Sequence, residues 1–565
     1  MLKRDVKQAL KRTVRRVRRK LPQAIKPDWT DLLKSDQATW QKYRENAQNG
    51  PLVLIATSTG GHRAVSPIES LLAIALTLRG ANVHILLCDR FLPACSQAVN
   101  IEFWSQAEFV NHGPKSLCDD CFYAGLAVFE PLELPIHTYN EWVTPEEQLS
   151  ALNLSCSVPQ TEIQNFRLDG LKVGEHALAG ALKFFAKGSL DDEPFAEAVL
   201  RRYLQASLLT VYAMQNLLQT YPFASSCFNH GIYVPQGLIG EVLRQHNVAV
   251  TTWNPAYRKQ CFIFSHGDTY HHTLMSEPTS AWENIPWNAA LETKLMDYLK
   301  SRWYGTQDWI WFHEKPRDDL AAIAQEMGLD LSRPTIGLLT NVIWDAQLHY
   351  PANAFPSMLE WIIQTVQYFI NRPELQLVIR VHPAEIRGWL PSRQLVADEI
   401  RKAFPELPAN IIVIPPESQI STYAVMTQCD SVIIYGTKTG VELSSLGIPI
   451  IVAGEAWIRN KGITHDAQTA AEYFSILDRL PLQKSLDEAT TRRARLYAYH
   501  FFFRRMIPLS VMKPVTGWPP YEVQLTQLDE LLPGRDPGLD VICDGILQGS
   551  DFIYKDEELY RVTDE

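Results

Sequence analysis

Cys429-Asp-Ser-Val-Ile-Ile-Tyr-Gly-Thr-Lys-Thr-Gly-Val-Glu-Leu-Ser-Ser-Leu-Gly-Ile-Pro-Ile-Ile-Val452 changes its local pattern three times. Ser431–Tyr435 is a short β-branched apolar run, as a buried strand requires. Gly436–Gly440 is turn chemistry. Residues 438–446 have helical spacing and stop at Gly447, which suits a helix C-cap. Ile448–Val452 is the next buried strand. Strand, short helix and strand in this order predict a parallel sheet covered by helices. The turn puts backbone N–H groups and the Thr437 and Thr439 hydroxyls at a helix start, a favourable place for an anion. Glu442 follows one turn later, where it could accept hydrogen bonds from a ribose. Thr439-Gly-Val-Glu442 equally fits a capping box with a purely local duty.

The same alternation extends in both directions. Upstream, strands are predicted at 335–340, 375–381 and 410–414, with helices over 353–370, 392–404 and 419–428. Farther upstream, Pro51–Thr57 and Val83–Cys88 flank a helix over 66–79. Helices at 177–187 and 194–220 and strands near 225–229 and 247–253 follow. The middle, 283–335, reads as irregular and rich in Trp and Pro. The expected fold class is therefore α/β, with two doubly wound Rossmann-like domains facing across a cleft. The expected units are a basic helical arm and linker (1–50), an N-terminal domain (51–330), a C-terminal domain (331–510) and a Pro-rich, acidic tail (511–565). Ligands of such folds bind at the carboxyl ends of the strands.

Candidate site residues lie at those ends. In Arg380-Val-His382-Pro383, His382 would sit at a strand's edge, placed to donate to a phosphate or protonate a leaving group; a Pro that merely stops the strand is the plainer reading. Thr57-Ser-Thr-Gly60-Gly61-His62 forms the first βα loop. Its glycines allow close approach to a ligand, and His62 is a candidate base or phosphate donor. His230 and Asp268 lie in polar, aromatic and Gly-rich stretches that suit a sugar, or ordinary loop packing. Cys88, Cys95, Cys118 and Cys121 contain one C-x-x-C and would allow a structural zinc or iron–sulfur site, although buried thiols are the commoner outcome.

Composition excludes several classes. Apolar residues make up 46 % and charged residues 21 % of the 565, enough for large cores and far from a disordered chain. The net charge of −10 is uneven: residues 1–20 carry +9 and the remainder −19. An acidic body argues against nucleic acid as a partner, since phosphate neutralisation requires Lys and Arg. Leu2, Val6, Leu10, Val14, Val17 and Leu21 recur at helical spacing among the basic residues, and Pro22 ends the run. Residues 1–22 therefore predict a basic amphipathic helix for an anionic membrane face, or a solvated helix packed on the acidic body. Nine sparse cysteines, no signal-peptide pattern and no spanning apolar run predict a cytoplasmic protein, peripheral on the inner membrane face if the arm binds lipid. Walker A, G-x-G-x-x-G, H-E-x-x-H, G-x-S-x-G and Asp-x-Asp motifs are absent, so no cofactor or metal is expected for the chemistry.

With these residues assembled, the chain resembles bacterial glycosyltransferases of the GT-B fold, especially the capsule polysaccharide biosynthesis group. Arg380–Pro383 and Tyr435–Glu442 through Gly447-Ile-Pro449 carry the resemblance. It implies a nucleotide-sugar donor on the C-terminal domain, with phosphates at His382, Thr437, Thr439 and Gly440 and ribose at Glu442. It also implies a glycan or lipid-linked glycan acceptor and a general base (His62, His230 or Asp268) on the N-terminal domain. The same elements are similar to those of CDP-glycerol glycerophosphotransferases, which makes a CDP-polyol phosphotransferase an alternative. A non-catalytic scaffold of a polysaccharide assembly complex is another.

Overall fold

The computed structural model describes residues 27–309, 316–330 and 332–560. The basic helix expected over 1–22 lies outside the described residues. Two mainly parallel sheets organise the rest. The first comprises β1 (Leu52–Ser58), β2 (Asn82–Leu87), β3 (Ile136–Thr138), β4 (Ser225–Asn229), β5 (Ala249–Pro255) and β6 (Cys261–His266). The second comprises β7 (Thr335–Leu339), β8 (Gln376–Arg380), β9 (Ile411–Ile414), β10 (Ser431–Ile434), β11 (Ile450–Val452) and β12 (His465–Asp466). A last strand, β13 (Ile507–Pro508), returns to the first sheet. The orders are β13-β6-β5-β4-β1-β2-β3 and β12-β11-β10-β7-β8-β9. All pairings are parallel except β5–β6 and β6–β13.

The strands read as unbroken apolar runs because both sheet faces are buried. Val53, Ile55, Val83 and Ile85 fill one core of the first sheet, while Leu54, Ala56, Leu86 and Val250 fill the other. In the second sheet Ile336, Leu338, Leu377 and Ile433 face one core, and Val378, Val432, Ile434 and Ile450 face the other. Each of these Val, Leu and Ile side chains stabilises the fold by about 1.5–3 kcal/mol through burial.

Three stretches depart from the expected layout. Residues 27–50 are no linker: Trp29 and Trp40 are buried in the first core, their indoles bonded to Ser70 Oγ (2.9 Å) and the Leu132 carbonyl (3.1 Å). The middle holds a 14-residue helix, Ala289–Arg302, capped by Asn288, and a second, Leu320–Met327. Both helices share a core with the second sheet. Residues 511–560 are not a free tail. Val511, Met512, Tyr521, Val523, Leu528 and Leu531 join the core of the first sheet, as do residues of helix Pro537–Gln548. Among the described residues, no helix is long and apolar enough to cross a membrane.

Helix Ser66–Leu78, which follows the first βα loop, is buried on every side. That explains its nearly uniform apolar sequence. Its one charged residue, Glu69, accepts the Asn229 N–H (2.8 Å) and the Trp253 indole N–H (3.0 Å), and so pins the end of β4. Burial pushes its carboxyl up to about 7. The folded state therefore binds more protons than the unfolded chain between the ordinary carboxylate range and about pH 7, and ionising Glu69 there destabilises the fold. Glu69→Gln keeps the accepting oxygen and removes the titration. In chemical denaturation, the stability advantage of the variant over wild type should grow from near zero at pH ~4.5 to about 3 kcal/mol above pH ~7. A pH-independent difference would refute this role.

Candidate active site

The carboxyl edge of the second sheet forms a continuous row, because β11, β10, β7 and β8 are neighbours in that order. Asn341 stands at its centre, just beyond β7. Its side-chain oxygen accepts the Gly436 N–H (3.3 Å), and the adjacent Thr340 hydroxyl accepts the His382 N–H (3.0 Å). Gly436, beyond β10, lies so close to the Glu455 carbonyl, beyond β11, that a Cβ there would be 3.0 Å from it. The structure thus brings His382-Pro383 and the Gly436–Thr437 turn to one edge, on either side of Asn341.

Facing it, the carboxyl edge of the first sheet borders a cavity of about 830 Å³. Its lining includes Ser58–Thr59, Gly61–Arg63, Asn229–His230, Tyr233 and Lys183, with Trp344, Asp345 and Trp389 from the second domain. Two of the three candidate bases, His62 and His230, are here. Asp268 is not: its carboxylate binds His272 Nδ1 (2.8 Å), whose Nε2 lies 3.4 Å from Glu455. This carboxylate–imidazole–carboxylate bridge joins the two domains, and its acidic partners raise His272 to about 10 against the effect of its burial.

The two cavity histidines differ. Burial and the nearby Lys183 ammonium lower both to about 4, so each ring is neutral at pH 7. His62 Nδ1 accepts the Ala64 N–H (3.3 Å), which puts the ring proton on Nε2. In this tautomer Nε2 carries the proton and Nδ1 is engaged, so His62 offers a donor rather than the free acceptor a base requires. His230 lies in the left-handed region (φ 67°), as do Gly231 (72°) and Tyr233 (64°). A non-glycine residue held there at a strand end carries strain of the kind concentrated at functional sites. Asp345 offsets part of the lowering of His230 and accepts the Tyr233 hydroxyl (2.8 Å). Lys183 Nζ stands 4.2 Å over the Tyr233 ring, and burial lowers it to about 8.

Several expected roles change. A Cβ on Gly60 would be 2.7 Å from Gly125 Cα, and one on Gly61 2.5 Å from Cys121 Cα. The glycine pair therefore admits the backbone of helix Lys115–Phe129. Gly440 packs on Ile434, where a Cβ would meet Cδ1 at 2.5 Å. Arg380 is buried, donating to the carbonyls of Pro415 (2.6 Å) and Ser418 (3.2 Å). None of Arg380, His382, Pro383, Gly436, Thr437, Thr439, Gly440 and Glu442 lines the cavity.

Glu442 is fully buried and held by Lys438 (2.9 Å), Arg302 (3.1 Å) and the Tyr423 hydroxyl. Those cations depress its carboxyl to about 2 despite the burial. The capping box does not form either; the helix has no side-chain cap. Cys88, Cys95, Cys118 and Cys121 all line the cavity, but burial raises their thiols, Cys88 and Cys121 to about 12. Cys121 Sγ accepts the Gly61 N–H (3.2 Å). Among the described residues, no three His, Cys, Asp or Glu side chains are placed to hold a metal ion.

Glu442→Gln should leave buried Lys438 without its counter-charge and Arg302 with Asp308 alone, and cost about 3–5 kcal/mol in denaturation. Were Glu442 only a ligand for ribose, stability would be unchanged.

Sequence reading missed Lys183, Asp345 and Trp344, and took Tyr233 only as one aromatic of the stretch around His230 that suits a sugar. Lys183 is an ordinary cation within a helix, and only the left-handed turn after β4 brings Tyr233 beneath it. An Asn-His-Gly sequence following a strand was the available signal, because Asn, His and Gly favour left-handed turns.

Residues 306–493 match the family model described as capsule polysaccharide biosynthesis protein. No curated protein matches the sequence. Among solved structures, the chain is similar to the beta Kdo 2,4 transferase KpsC of Thermosulfurimonas dismutans (13 % identity, 49 % of this chain and 79 % of that one, TM-score 0.32). It is also similar to the UDP-GlcNAc 2-epimerase of Neisseria meningitidis (10 %, 79 % and 95 %, 0.22) and to CalG4, the calicheamicin glycosyltransferase (12 %, 80 % and 94 %, 0.24). The chain builds two domains on mainly parallel, Rossmann-type sheets and is similar to capsule polysaccharide biosynthesis proteins over residues 306–493.

Proposed function

We propose that this protein transfers a glycosyl group from a nucleotide-sugar donor to a hydroxyl of a glycan during assembly of a surface polysaccharide. The observation that carries this reading is the cavity between two facing carboxyl edges, one of them in the segment that matches the capsule family. The donor nucleotide would lie along the Asn341 row, with its phosphates near His382 and the 436–440 turn. The acceptor would enter the cavity beside His230.

In the transfer, the acceptor oxygen bonds to the anomeric carbon, and the bond from that carbon to the donor phosphate oxygen breaks. The acceptor proton passes to neutral His230, and Asp345 stabilises the imidazolium that forms. His62 Nε2–H and Lys183 supply donors for negative or hydroxyl oxygens. Closing the two domains over the site would exclude water and protect the donor from hydrolysis. The basic segment 1–22 would hold the protein at an anionic membrane face. Its deletion should release the protein from anionic liposomes without altering nucleotide binding; unchanged liposome binding would refute the anchor.

A panel of nucleoside mono- and diphosphates in a thermal-shift assay tests the reading. One nucleotide should raise the melting temperature. His230→Ala should keep that shift and lose about 10²–10⁴-fold of the turnover. Stabilisation by no nucleotide would favour a scaffold. Stabilisation by CDP with a polyol phosphate as product would favour the phosphotransferase. Unchanged turnover in His230→Ala would remove the assigned base.

A further inference from the structure

The mouth of the cavity has a chemistry that the transfer reaction does not require. Nine large hydrophobic side chains are exposed among the described residues, and three of them, Tyr123 (58 %), Trp389 (46 %) and Trp518 (58 %), line this one cavity. They come from three distant parts of the chain. Tyr123 lies on helix Lys115–Phe129. Trp389 follows the short helix Ala384–Arg387, beyond β8. Trp518 lies between Pro514 and Tyr521 in the returning C-terminal segment, whose hairpin is tied to the first βα loop region by the Tyr521 hydroxyl on the Ala64 carbonyl (2.6 Å). Exposing an aromatic ring to water has a free-energy cost, and three such rings lining one cavity from unrelated segments mark an interaction site.

The polar groups among them indicate which partner. Glu102, Asp119 and Asp120 line the same cavity, as do Ser96 and Gln97. Arg90 positions the helix that presents Tyr123, pairing with Asp119 (2.9 Å) and lying 5.8 Å from the Tyr123 ring. Deeper in, buried Gln236 keeps a side-chain oxygen without a partner. Aromatic faces alternating with carboxylates and amides match a chain of sugars. The apolar faces of pyranose rings stack on indole and phenol rings, and their hydroxyl pairs donate to carboxylates. The lining carries four carboxylates, Glu102, Asp119, Asp120 and Asp345, against two cations, Arg63 and Lys183, so it lacks the excess of Lys and Arg by which aromatic patches bind an anionic lipid surface. A cavity of about 830 Å³ is near the upper end for small-molecule sites and exceeds the need of one sugar ring.

We infer that the acceptor is a pre-formed glycan several sugars long, whose end enters the cavity while the following sugars stack on Tyr123, Trp389 and Trp518. This inference rests on the proposed glycosyl transfer and specifies its acceptor. Substituting the three exposed side chains together (Tyr123→Ala, Trp389→Ala, Trp518→Ala) should leave the melting temperature and the nucleotide-induced shift intact. The test compares the full chain and this variant on an array of bacterial capsular and lipopolysaccharide oligosaccharides graded from one to eight sugars, alongside anionic liposomes. Wild type should bind at least one series with affinity rising beyond three sugars. The variant should lose ten-fold or more on the long members and little on the short ones. No glycan binding by wild type, equal binding by both proteins, or a loss confined to liposomes would each overturn the inference. The nucleotide shift, read separately, tells whether donor binding has failed as well.

Discussion

The Arg302 guanidinium lies where four parts of the chain meet, and the relation between the two sheets depends on it. It ends the helix Ala289–Arg302, pairs with Asp308 beyond that helix and reaches Glu442 on the second domain at 3.1 Å. It stands 5.5 Å from the Tyr257 ring, in the loop between β5 and β6, and 5.3 Å from the Phe502 ring, where the chain returns. Burying several charges in this way costs desolvation that only close pairing offsets. Here each charge has its counterpart: Lys438 and Arg302 share Glu442, and the Tyr298 hydroxyl donates to Asp308 at 2.8 Å. A displaced helix would strand an unpaired buried charge, so the pairing fixes Ala289–Arg302 on the second sheet, the Tyr257 ring brings the first sheet to the same guanidinium, and the two carboxyl edges face across this joint. The cavity exists because those edges face.

A second belt of ion pairs supports the crossings. His272 bridges Asp268 and Glu455, and Glu277 receives both His500 (2.8 Å) and Arg505 (3.6 Å). Asp268, a candidate base in a stretch that suits a sugar or loop packing by sequence, is therefore a joint of the molecule. The aromatic, polar stretch around 264–277 contributes to domain coupling, whereas the neighbouring stretch around 228–236 contributes to the cavity.

The architecture was legible in the sequence because parallel strands buried on both faces leave dense apolar runs. The strand ends that carry His62, His230, His382 and Gly436 could therefore be placed. Contacts between distant segments were not legible. Nothing local announces that Glu442 meets Arg302, that Gly60 makes room for Gly125, or that the segment after 507 completes the first sheet. Glycine marks close approach without saying to what, and Gly60, Gly61 and Gly440 approach protein. A carboxylate one turn into a helix has the same local pattern whether it meets a ribose or a guanidinium, and burial among cations decided the matter for Glu442. Lys183 stood out only once the left-handed turn at His230–Tyr233 had placed Tyr233 beneath it.

Hydrogen–deuterium exchange of the full chain, with and without its stabilising nucleotide, tests the facing-edge account most directly. Slowed exchange should be confined to 340–346, 382–388, 436–440 and 453–461 on the second edge, with 58–63 and 229–236 following as the domains close. Protection elsewhere, or on the first edge without the second, would contradict it.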